Sequence, residues 1–167
     1  MNSLRRLKLT IPKTKSEWVW DLIGYSFFLG SIILLFVVWS KLPEKVPMHF
    51  NARGEIDGWG SKGVLLILPL IGVFTALMMY AFEKSPELYN YPKRLNESNA
   101  AQFYLHSRKL INQLKNICLI IFALILFESV SIPLGWWDGS GVWLLPGLLL
   151  AIIIPIGLSI YQQKKIK

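Results

Sequence analysis

The chain has 167 residues, 53% of them hydrophobic and 17% charged, with a mean hydropathy of +0.45 and a formal net charge of +8. That is too apolar for an ordinary soluble domain. A single cysteine, Cys118, excludes an intrachain disulfide, so any ordered loop must be held by turns and packing.

In chain order, a basic tail (Arg5, Arg6, Lys8, Lys13, Lys15) leads into an apolar stretch over 18–40. It is too long for a signal peptide and no small-x-small cleavage site ends it, so it reads as an uncleaved first span. Three more stretches follow at 64–82, 117–134 and 142–161. Each approaches the roughly 20 apolar residues needed to cross a hydrocarbon core about 30 Å thick. Spanning segments must satisfy their own backbone hydrogen bonds, and no membrane-barrel alternation is present, so helices are expected. The fold class is therefore an all-α membrane protein: one integral domain over 1–167 with four transmembrane helices.

Fourteen of the eighteen basic residues fall in the N-terminal tail, the 83–116 segment (Lys84, Lys93, Arg94, Arg108, Lys109, Lys115) and the C-terminal tail (Lys164, Lys165, Lys167). Lys41, Lys45, Arg53 and Lys62 fall on the other side. The positive-inside rule then puts both termini and the middle loop in the cytoplasm and the 41–63 loop outside, in a multi-pass membrane protein. The excess charge reflects topology and anionic lipid, and no nucleic-acid partner is expected.

Between the first two spans, the outer loop 41–63 contains LPEKVPMHFNARGEIDGWGSK (42–62), far richer in turn formers and polar groups than a simple connection needs. Val46, Met48 and Phe50 alternate with Pro47, His49 and Asn51, the pattern of an extended segment with one greasy face. Asn51-Ala52-Arg53-Gly54 reads as a type I turn closing on glycine and Asp57-Gly58 as a second turn. Ser61 is placed to cap the second span, and Trp59 suits the headgroup level. The expectation is a small hairpin-like cap with His49, Asn51 and Asp57 facing one another. The ligand-binding candidates are His49, Asn51, Asp57, Trp59 and Lys62.

The bland alternatives are specific. His49 lacks the second His or Cys that a zinc site wants, so no metal site is expected. Asn51 and Asp57 commonly bond their own turns. Catalytic residues and cofactors are not expected either: there is no HExxH, GxSxG, phosphate-cradling glycine loop or cysteine pair.

Further along, Asn99-Ala100-Ala101-Gln102 resembles a capping box opening an amphipathic helix that runs into the third span. Phe103, Leu110, Ile111 and Leu114 would form its apolar stripe, with Arg108, Lys109 and Lys115 toward solvent or phosphate. Glu128 is an acid well inside the third span, where a charge costs about 2.5–3.5 kcal/mol, so it should face protein or water. Its candidate partners are Lys62 or His49 or, for a protonated carboxyl, Ser129, Ser131 or another helix. Asp21, near the inner end of the first span, offsets the helix dipole and meets cytoplasmic lysines. Pro69, Pro146 and Pro155 read as kinks, and Trp136, Trp137 and Trp143 as interface anchors. Gly30-Ser31 and Gly147 are candidate close-contact points of a homodimer.

The run LP-x2-VP-x-HFN-x2-G-x2-D-x-WGSK, followed by LLILPL, resembles the signature of a bacterial domain of unknown function found as the N-terminal part of SdpI-type toxin-immunity proteins. The resemblance extends to Asn90-Tyr91-Pro92 and to NESNAAQFYLHSRKLINQLK at 96–115. It implies a plasma-membrane protein that protects its cell from a secreted peptide toxin and signals by holding a cytoplasmic regulator at the membrane. SdpI-type proteins carry more spans than these four, so immunity is the looser implication and the wider family the tighter one. The competing expectation is an accessory or transport-linked subunit in which Glu128 handles a proton.

Overall fold

The computed structural model describes residues 8–166; Arg5, Arg6 and Lys167 of the charge count lie outside them. The elements are α1 (Lys15–Val38), β1 (Lys45–Phe50), β2 (Ile56–Ser61), α2 (Ile67–Lys84), α3 (Ala100–Ser131) and α4 (Leu144–Gln163). Short 3-10 turns at Trp39–Lys41, Lys62–Leu66, Pro86–Leu88 and Gly141–Trp143 complete them. Among the described residues four helices, three of them extended by these turns, are long and apolar enough to cross a membrane: Lys15–Lys41, Lys62–Lys84, Ala100–Ser131 and Gly141–Gln163. The molecule has the character of a multi-pass membrane protein.

The heart of the bundle is the seam between α1 and α3. The buried residues of α1 are Glu17, Asp21, Gly24, Phe28, Ser31, Leu35 and Val38, spaced alternately by four and three. Those of α3 include Asn112, Asn116, Leu119, Ala123, Leu126 and Val130, with the same spacing. Such a heptad keeps one stripe facing a partner helix. The two helices run in the same direction, because Asp21 meets Asn116 toward one end and Leu35 and Val38 share a core with Leu126 and Val130 toward the other. At Gly24 the helices approach closely: a Cβ there would lie 2.7 Å from the Asn116 Cβ. A Cβ on Gly72 would likewise strike the Phe28 ring, which fixes how closely α2 meets α1.

Local chemistry explains the helix ends. Glu17 reaches back to accept the Thr14 backbone N–H at 2.7 Å, half of a capping box. α3 does open after Asn99, but the Asn99 side chain does not cap it. The amide turns onto the preceding loop, accepting from Asn96 N at 2.9 Å and donating to Arg94 O at 3.0 Å. Ser61 precedes the 3-10 turn leading into α2 and makes no side-chain cap bond. Pro69 and Pro146 occupy first-turn positions, where a missing N–H costs nothing, so only Pro155 interrupts a helix interior.

β1 and β2 pair antiparallel, and the sheet is anchored by Val46, fully buried among Leu35, Val38, Leu65, Leu126 and Val130. The simple alternation expected from Val46 to Phe50 fails. The register shifts twice between Pro47 and Phe50, so Pro47 joins Val46 inside while Met48 turns outward at 55% exposure.

Candidate functional site

The turn of the sheet is built by Asn51. Its side-chain Oδ1 accepts the Arg53 and Glu55 N–H groups at 2.8 and 3.1 Å, and its amide donates to Glu55 Oε2 at 2.8 Å. Gly54 N donates to Asn51 O at 2.9 Å, and Gly54 takes φ +73°, the left-handed region that a side chain resists. Asn51 is thus committed to its turn and does not join His49. Asp57-Gly58 is no second turn but the start of β2.

His49 and Asp57 do meet, with Nδ1 and Oδ1 2.5 Å apart on an exposed face. Across the ladder, Gly58 and Gly60 leave room for the neighbouring side chains: a Cβ at Gly58 would lie 2.9 Å from the His49 Cβ, and one at Gly60 2.7 Å from the Met48 Sδ. Trp59 is 55% exposed. Even a fully charged exposed pair contributes only about 0–1 kcal/mol, so stability is a weak reason for His49 and Asp57. Lys62 sits at the base of the sheet, 3.0 Å from Glu44 Oε1 and over the Trp39 ring.

Glu128 is 3% exposed, and its partner is none of those expected. Lys62 engages Glu44 and His49 engages Asp57. Instead Ser140, in the connection between α3 and α4, donates both its backbone N–H (2.8 Å) and its hydroxyl to Glu128 Oε1. Glu128 Oε2 and Ser131 Oγ are buried with no hydrogen-bond partner among the described residues. The sheet touches this arrangement: a Cβ on Gly54 would collide with the backbone of Gly141, beside Ser140. His49, Asp57 and the Gly54 turn therefore lie on one side of a short chain of contacts that ends on a buried carboxylate.

At the opposite end of the seam lies a second polar cluster, of which the sequence predicts the meeting of Asp21 with lysines but not its burial or its other members. Lys115, expected at the surface, is 1% exposed; its Nζ lies 2.7 Å from Glu83 Oε1 and 3.0 Å from Asp21 Oδ1. Asp21 also accepts from Asn112 (2.7 Å) and Asn116 (2.8 Å) and pairs with Lys13. Arg108 too is withdrawn from solvent: it holds Glu17 through Nε (2.8 Å) and Nη2 (3.1 Å) and the carbonyls of Ile11 and Pro12 at 2.6 and 2.8 Å. Three carboxylates face three cations, which is what makes burial of either sign tolerable. The signal was present, since Asn112, Lys115 and Asn116 continue the Leu119–Ala123–Leu126 stripe in register. Among the described residues no three His, Cys, Asp or Glu side chains group to hold a metal.

A family model described as a domain of unknown function (DUF1648) matches residues 27–73, which take in the second half of α1, the sheet and the start of α2. An uncharacterized protein of Archaeoglobus fulgidus is 39% identical over 94 residues, covering 52% of this chain and 44% of that relative. The chain thus spans less than half the length of the relative it matches. No solved structure matches it.

Proposed function

We propose that this is a sensor or immunity-type protein of the bacterial plasma membrane, with both termini cytoplasmic and the sheet outside, where it meets an envelope ligand such as a peptide toxin. The observation that carries this reading is the contact of the Gly54 turn with Gly141, next to the Ser140 that binds Glu128. A ligand that shifts the sheet would shift two donors on a buried carboxylate, giving occupancy a different energy in two states of the bundle. The exposed Met48, His49, Asp57 and Trp59 supply the contact surface, and the resemblance of 42–62 to SdpI-type proteins supports the ligand class. A cytoplasmic regulator or a second copy would receive the signal. The reading assigns no catalysis and no cofactor to the chain.

The unpartnered Oε2 of Glu128 favours a second reading, an accessory or transport-linked subunit in which that carboxyl exchanges a proton. Survival of a peptide-sensitive strain separates the two. The chain, His49→Ala, Asp57→Ala and Glu128→Gln would be compared under envelope-active peptides at matched membrane levels. Protection lost in the two sheet variants is the expected result; no protection even by the unaltered chain overturns the immunity reading and leaves the transport-linked one.

A further inference from the structure

α4 touches α3 through polar ties at its two ends. His106 Nε2 lies 2.8 Å from the Ser159 hydroxyl and 3.0 Å from its carbonyl, and Ser140 binds Glu128 near the other end. Between these ties the helices leave an apolar cleft of about 610 Å³, walled by residues such as Ile117, Ile121, Leu124, Leu148 and Ala151. At one end it adjoins a cavity of about 320 Å³ whose mixed lining includes the polar side chains of Ser16, Lys109, Gln113, Ser159 and Gln162. Trp20, Gln113, Ile154 and Pro155 line both, so the two adjoin.

We infer that this cleft is a binding site for one anionic phospholipid, its headgroup in the polar cavity and an acyl chain along α3 and α4. Three features select that occupant over a second copy of the chain. Lys109 has no carboxylate partner among the described residues, and Glu17, the one acid lining the cavity, is already neutralised by Arg108. A cation and several hydrogen-bonding side chains at the mouth of an apolar slot complement a phosphate on a hydrocarbon tail. The apolar part runs along α4 from Trp143 to Pro155, roughly 18 Å at 1.5 Å per residue. That matches a chain filling somewhat more than one leaflet of a core about 30 Å thick. The polar mouth also lies at the end carrying Lys164 and Lys165, where a surface charge draws anionic lipid.

Gly147 lines the cleft, and a Cβ there meets nothing within 4 Å, so Gly147→Leu should place its side chain at the slot without a clash at Cβ. Gly157 is equally open but does not line the cleft, and Gly157→Leu serves as its control. The test is native mass spectrometry of detergent-purified protein titrated with phosphatidylglycerol or phosphatidylcholine. One phosphatidylglycerol should bind the unaltered chain and Gly157→Leu alike and be lost from Gly147→Leu. Lys109→Gln should weaken phosphatidylglycerol about fivefold, leaving phosphatidylcholine unchanged. A photoactivatable phosphatidylglycerol should label the unaltered chain within 117–124 and 143–155, a result independent of any variant's folding. Equal lipid retention by the two glycine variants, labelling spread over all four helices, or a dimer abolished by Gly147→Leu without lipid would each overturn the assignment.

Discussion

The Lys115 ammonium lies 2.7 Å from the Glu83 carboxylate, joining α3 to α2 by a pair that solvent scarcely reaches. Removing the cation leaves Glu83 buried without a counter-charge and Asp21 with Lys13 alone. Lys115→Met should therefore cost about 3–5 kcal/mol, the range for breaking a buried pair. Unfolding in detergent micelles measures it. Glu83→Gln in the same chain should recover part of the loss, and additivity of the two changes would show that the pair is uncoupled.

Glu128→Gln should be nearly neutral to stability, because a glutamine Oε1 can still accept from the Ser140 N–H and hydroxyl. Glu128→Ala leaves those donors unsatisfied and should cost about 1–3 kcal/mol. Equal losses in the two variants, measured by the same unfolding assay, would contradict the assigned bonds.

Gly54 is constrained twice, by its positive φ and by the backbone of Gly141. Gly54→Ala should cost about 1–2 kcal/mol for the left-handed backbone alone and more from the overlap. Hydrogen exchange should then rise both in the 51–56 turn and at Ser140. A rise confined to the turn would mean that the sheet does not bear on the α3–α4 connection.

Tyr89 gives a pH prediction. Its phenol donates to the Phe82 carbonyl at 2.6 Å, and burial, helped by the nearby Tyr91 and Glu83, raises its pKa above the usual value near 10. The folded chain then holds this proton more tightly than the unfolded chain does. The contribution is present below about pH 10 and lost as pH rises beyond it. Tyr89→Phe should flatten the alkaline limb of the stability curve; an unchanged limb between about pH 10 and 12 would exclude Tyr89 as its source.

Length and hydropathy made the four long apolar helices legible, because a lipid core dictates how many apolar residues a span needs. Turn chemistry made Asn51–Gly54 legible for the same local reason. Strand faces were less so: the irregular pairing around Pro47 and His49 reverses the side on which Met48 lies, and pairing partners are not local information. Lys115 and Arg108 were misjudged because a charge was weighed as a residue rather than as a position. Each sits in register with the apolar seam of α3, and the carboxylates that stabilise them come from α1 and α2, more than twenty residues away. Ser140 was missed as the partner of Glu128 for a similar reason, since a glycine-flanked serine in a short connection carries no signature of its own.

The charge cluster also bears on the order in which the chain is made. α1 and α2 emerge first and bring Glu17, Asp21 and Glu83, with Lys13 paired to Asp21 and Lys84 lining the same cavity as Glu17 and Glu83. Arg108 and Lys115 both arrive on α3. A nascent chain that has completed only its first two helices lacks the cations that Glu17 and Glu83 hold in the folded bundle, and α1 and α2 pack mainly against α3 rather than against each other. α3 is thus the element whose arrival completes the charge cluster, and a polypeptide halted after Lys84 should remain a substrate for membrane quality control.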